Sequence, residues 1–150
     1  MRPTLPIGTL TDLARTRTDE AARALAILRD GKLTANQKLE QLLAYRRDYT
    51  AQLQSMMARG IEAAQLSNYH QFLAALDAGI EQQRVTSLQA EADVSAGRSD
   101  WQHKRRRLNA FETLTERLQR QQQLLEGRRE QRANDEQASR MFIDRAVRAY

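Results

Sequence analysis

The sequence predicts an all-α protein, a long antiparallel two-helix coiled-coil hairpin. Three observations carry this. Apolar residues recur at heptad spacing along two segments. Pro3 and Pro6 are the only prolines, and both precede the first periodic segment, so nothing after Pro6 breaks a helix by ring clash. The composition holds 41% hydrophobic, 5% aromatic and 29% charged residues, which suits a narrow apolar seam better than a thick globular core. Alternating strand patterns and hairpin dipeptides are missing.

The first helix is expected over residues 9–59. Thr9 stands three residues before Asp12, an approximate capping box. With Leu25, Leu39 and Leu53 at a, the d positions are Ala21, Leu28, Ala35, Leu42, Tyr49 and Met56. Lys32 and Arg46 interrupt the a series, but long basic side chains can lay their stems on a seam and keep their heads wet.

Gly60 suits a helix C-terminus, because glycine enters the left-handed region freely. The turn is expected within 60–67, with Ser67 or Asn68 capping a second helix over about 68–140. That helix carries Leu66, Leu73, Ile80, Ser87, Val94, Trp101 and Leu108 at a. Its d positions are Tyr69, Leu76, Gln83, Ala90, Gly97, Lys104, Phe111, Leu118 and Leu125. The register runs without a skip. Gln83, Ser87, Gly97 and Lys104 are its weak members and predict a looser middle, bent near Gly97.

A short turn between two heptad helices forces antiparallel pairing. With the turn near residue 63, Leu10 faces about residue 116, and residues 117–150 have no partner within the chain. A lone helix in water is marginal, so this tail is expected to fray alone and to order on a partner. Its last apolar group is Met141, Phe142, Ile143 and Val147. The whole chain, 1–150, reads as one coiled-coil domain.

Chemistry finds little support. No cysteine is present, which removes disulfides, thiol redox chemistry and zinc thiolates. His70 and His103 stand far apart, without a ligand pattern at i+4. The six glycines lack phosphate-loop spacing, and no Ser occupies a nucleophile elbow. The expectation is no enzyme activity, no metal and no cofactor. Residues 1–8 carry no apolar run of signal-peptide kind, no stretch approaches a membrane span, and a cytoplasmic location is expected.

The net charge of +5 and pI of about 10.1 suit an acidic partner surface without choosing among protein, nucleic acid and membrane. The run His103-Lys104-Arg105-Arg106-Arg107 spreads around the helix and has only Trp101 nearby for stacking, so nucleic acid is not expected as a partner. Phe72 is more informative. It takes a g position beside the seam, with Leu76 one turn on and Tyr45 and Tyr49 across the turn. It either seals the hairpin end or anchors a partner.

An ordered set of residues gives the chain a family likeness. It begins with Leu10, Asp12, Leu13, Ala14, Glu20-Ala21-Ala22-Arg23, Leu25 and Gly31. It continues through Leu39, Tyr45, Tyr49, Leu53 and Gly60-Ile61 to Asn68-Tyr69-His70-Gln71-Phe72, Leu76, Ile80 and Arg84, then Trp101, Leu108, Leu114 and Glu116-Arg117. From about Thr9 to about Arg117 the sequence resembles the flagellar FliJ proteins of the type III export apparatus.

The resemblance implies an antiparallel coiled coil like the central stalk of rotary ATPases. It implies a soluble, non-enzymatic stalk and adaptor, peripheral at the cytoplasmic face of the inner membrane through the export apparatus. Its implied partners are the hexameric export ATPase, the cytoplasmic domain of the export gate and the export chaperones. The gate-binding patch would map onto Leu42, Tyr45, Tyr49, Phe72, Leu76, Gly79 and Gln83. Gly79 stands where Ala is common in the family, Gln83 where His is common, and Lys38, left off the patch, where Gln is common. Contacts to the ATPase ring are expected by location near Leu10, Leu13, Arg15 and Arg17. The alternatives are the equivalent stalk of a virulence secretion system and, from another class, a basic nucleic-acid-associated coiled coil.

Overall fold

The computed structural model describes residues 6–150. Residues 1–5, Pro3 among them, lie outside the described residues. Two helices account for almost all the rest: α1, Ile7–Arg59, and α2, Ala63–Arg148. They pack against each other antiparallel, as a coiled-coil hairpin.

The ends of both helices differ from the sequence expectation. Helix α1 begins two residues before Thr9, directly after Pro6, whose carbonyl accepts from Leu10 N at 3.2 Å. No acid lies in its first turn, so the Thr9–Asp12 pair does not cap it. Proline's fixed φ already suits the entry to a helix. At the other end Gly60 takes φ +92°, the left-handed conformation that stops α1. The connection is then only residues 60–62. Helix α2 starts at Ala63, and Leu66 N donates to Glu62 O at 3.0 Å. Ser67 and Asn68 therefore fall inside α2 rather than capping it. Leu66 and Tyr69 are already seam positions, so burying them favours helix from the first turn.

The chain divides into two compact units: Met1–Thr16 with Arg106–Tyr150, and Arg17–Arg105. In the second unit, cross-helix contacts step in opposite directions along the two helices. Tyr49 meets Tyr69, Arg46 meets Asp77, Gln83 Nε2 donates to Ala35 O at 3.0 Å, and Thr18 Oγ1 donates to Lys104 O at 3.2 Å. In the first unit Thr11 Oγ1 lies 3.4 Å from Thr115 Oγ1, and Arg15 reaches Glu112 at 3.5 Å.

The core is a seam with alternating steps of three and four residues, as knobs-into-holes packing requires. Ala14, Ala21, Leu25, Ala35 and Leu53 are buried from α1, and Leu76, Ile80, Val94 and Leu108 from α2. Size alternates across it. The register of the contacts above sets small Ala14 near Leu108 and small Ala21 near Trp101. Three polar residues are also buried in it: Thr11, Thr18 and Ser87. Thr11 and Thr115 satisfy their hydroxyls on carbonyls four residues back, so each can sit in an apolar stripe.

Gly97 was the expected bend. Helix α2 runs through it as helix, and the missing side chain is used for packing: a Cβ there would stand 2.7 Å from Leu28 Cδ1. Leu28 fills the hole. Lys32 and Arg46, the expected interruptions, are half-buried seam members.

The seam ends earlier than the heptad suggests. Leu118 and Leu125, expected at d, are 44% and 55% exposed, and all residues from 116 to 150 are exposed. This segment is helical to Arg148. Its residues between Glu116 and Gln137 are mostly Gln, Arg, Glu and Leu, which propagate helix well.

Candidate protein-binding face

Four rings gather where α1 and α2 meet near the turn, all within the second unit. Tyr49 and Tyr69, both d positions, face each other with centroids 4.8 Å apart. Phe72, at g, lies against Tyr49 at 4.3 Å and edge-on to Tyr45 at 6.0 Å. Tyr45 stacks on Tyr49 at 6.3 Å. Such offset pairs each contribute about 0.5–1.5 kcal/mol beyond their buried area. Tyr69 donates its hydroxyl proton to Met56 Sδ at 2.9 Å.

The cluster has a buried side and a wet side. Tyr49 and Tyr69 are half-buried. Tyr45 is 53% exposed and Phe72 37%. Tyr45 and Phe72 occupy the same heptad position, g, so both project on one flank of the hairpin. Burial pushes the Tyr49 hydroxyl pKa above its ordinary value, with Tyr69 and Tyr45 adding to the shift, so Tyr49 stays neutral in any physiological range.

A shallow groove of about 360 Å³ continues this flank, lined by Lys38, Gln41, Leu42, Tyr45 and Gln83. Lys38 is the g residue one heptad before Tyr45. A larger opening of about 710 Å³ is lined by residues of α1 alone, from Gln37 to Arg47; bounded by one helix, it makes no cleft.

Of the seven residues that sequence resemblance assigned to this patch, the structure brings Tyr45, Tyr49 and Phe72 into ring contact and sets Leu42, Tyr45 and Gln83 around the groove. Leu76 is buried in the seam at 9% exposure, beneath the flank rather than on it. Gln83 is half-buried, its amide committed to Ala35 O. Gly79 is helical, with nothing within 4 Å of where a Cβ would be. Tyr69, Lys38 and Gln41 were not assigned. Tyr69 was readable from its d position opposite Tyr49, and Lys38 from sharing g with Tyr45.

The opposite flank carries Arg46 and Asp77, with Arg46 Nε donating to Asp77 Oδ1 at 2.5 Å and Nη2 to Oδ2 at 3.3 Å. The hydrogen bond from Arg46 holds the Asp77 carboxyl below the usual range, and the same bond raises the Arg46 pKa.

The other assigned group does not form one cluster. Leu10 is half-buried and Leu13 is 45% exposed, one turn apart on α1. Arg15 turns to Asp12 at 3.3 Å and Glu112 at 3.5 Å. Arg17 is exposed and belongs to the second unit.

The basic run 103–107 is divided in its uses. Lys104 pairs with Asp100 at 3.0 Å, and Arg107 lies over the Phe111 ring at 5.7 Å. Among the described residues no group of three or more His, Cys, Asp or Glu could hold a metal ion, and no helix is long and apolar enough to cross a membrane.

The hairpin and its aromatic cluster have counterparts among known proteins. The family model described as flagellar FliJ protein matches residues 3–146. The chain belongs to the FliJ family. The flagellar FliJ protein of Salmonella typhi is 36% identical over 134 residues, covering 89% of this chain and 91% of the relative. That of Escherichia coli (strain K12) matches to the same extent. The FliJ match thus includes both helices, the aromatic cluster and most of the exposed C-terminal segment.

Proposed function

We propose that this chain is a non-enzymatic stalk and adaptor of flagellar type III protein export. In this reading it engages a hexameric export ATPase with its first unit, near Leu10, Leu13 and Arg15, with Arg17 adjoining. It engages the cytoplasmic domain of the export gate with the Tyr45–Phe72 flank, and it escorts export chaperones. It works in the cytoplasm, peripheral to the membrane through those partners.

The observation that carries the reading is the family match across residues 3–146, on a hairpin whose largest cluster of rings keeps Tyr45 and Phe72 in solvent. Tyr45 and Phe72 bury only part of their area within the hairpin, and aromatic residues are the type enriched at protein interfaces. The groove beside Tyr45 is shallow and lies open on the flank, which suits contact with another surface.

The test is pull-down of the full chain with the purified cognate export ATPase, with hexamer formation and ATP hydrolysis followed in parallel. The reading expects capture and a rise in hydrolysis. No capture and unchanged hydrolysis would remove it.

A further inference from the structure

The end of α2 has a different character from the helix that precedes it. Residues 116–137 balance five arginines with five acids, whereas residues 138–148 hold Arg140, Arg145 and Arg148 with Asp144 as the one acid. At about 100° per residue, Phe142, Ile143, Ala146 and Val147 fall on one half of the circumference, with Ala138 at its edge and the small Ser139 among them. The three arginines and Asp144 fall on the other, with Met141 among them. Phe142 is 76% exposed and Val147 69%, so the apolar half is uncovered.

A second copy of the chain fits this face poorly. Continuing the α2 heptad puts Arg129, Arg132, Glu136 and Ser139 at a and d, which interrupts any two-stranded seam before it reaches Phe142. The apolar arc is also about half a turn wide, broader than a coiled-coil stripe. A wide apolar half opposed by a cationic half is the pattern of a helix lying in a membrane interface, apolar side among the acyl chains and arginines at the headgroups.

We propose that residues 138–148 dock on anionic phospholipid, lying in the plane of the bilayer surface rather than crossing it. The apolar half inserts, and the arginines supply the preference for negative headgroups. This goes beyond the export reading, in which contact with the membrane passes through protein partners, and does not rest on it.

The experiment is flotation of the full chain with vesicles of phosphatidylglycerol and phosphatidylcholine in equal parts, and with phosphatidylcholine alone, at physiological salt. Capture is expected on the anionic vesicles only. Combined Phe142→Ser and Ile143→Ser should lower partitioning about tenfold or more with helicity retained, since both positions are exposed. Each of Arg140→Gln, Arg145→Gln and Arg148→Gln should lower it about fivefold. In a Trp101→Phe background, Phe142→Trp should be quenched by brominated acyl chains. Absence of capture would overturn the proposal. So would capture untouched by the serine pair, which would mean adsorption through the rest of the basic surface. Concentration-dependent self-association abolished by the serine pair would also overturn it, assigning the face to a second copy.

Discussion

Leu28 occupies the volume that a side chain at Gly97 would need, its Cδ1 standing 2.7 Å from where that Cβ would lie. The two helices approach closely at this point because one of them gives up its side chain. Gly97→Leu should overpack the seam and destabilise the hairpin by about 1–3 kcal/mol, read by urea denaturation followed by circular dichroism. Gly97→Ala asks less, since only a Leu28 methyl must turn aside, and its gain in helix propensity should be largely cancelled.

Gly79 is the contrasting glycine. It is helical and has nothing within 4 Å of its would-be Cβ. Gly79→Ala should therefore add about 1 kcal/mol of stability and raise the melting temperature by roughly 2–4 °C for a chain of this size. A melting temperature unchanged or lowered by Gly79→Ala would show that the glycine is needed structurally.

Much of this was readable in the sequence. The seam was, because a two-helix coil writes its burial directly into the heptad, from Ala21 and Leu25 to Val94 and Leu108. The aromatic flank was too, since Phe72 at g opposite Tyr45 and Tyr49 follows from the register alone. The role of Gly97 was not, because a glycine at d reads equally as a weak point or as a hole, and only the facing residue decides. Nor were the ends. Capping signals at Thr9 and Asn68 are local, and they were overridden by Pro6, Gly60 and the burial of Leu66. Leu118 and Leu125 keep the heptad at and beyond the level of α1's first residues, where little of that helix is left to face them.

The Arg46–Asp77 pair gives the hairpin a pH dependence of definite sign. Asp77 is held below its ordinary value by the hydrogen bond from Arg46. The folded protein thus favours the ionised carboxylate more than the unfolded chain does. The pair's stabilisation is complete above the ordinary carboxylate pKa near 3.9 and is lost as pH falls through the lower folded value. Both side chains are about half open to solvent, so the effect is small. Asp77→Asn should flatten this part of the stability profile below about pH 4 in an acid titration read by circular dichroism. An unchanged acid limb would mean the pair does not form in solution.

The central claim is that the Tyr45–Phe72 flank is a binding surface and not only the seal of the hairpin end. Its most direct test is calorimetric titration of the purified gate cytoplasmic domain with the native chain and with Phe72→Ala. The substitution removes ring contacts with Tyr45 and Tyr49 and should cost roughly 1–2 kcal/mol of stability, leaving helicity intact at room temperature. The account predicts saturable binding by the native chain and its loss, or a weakening of at least about tenfold, in Phe72→Ala. Equal affinity for the two chains, with Phe72→Ala fully helical, would contradict it.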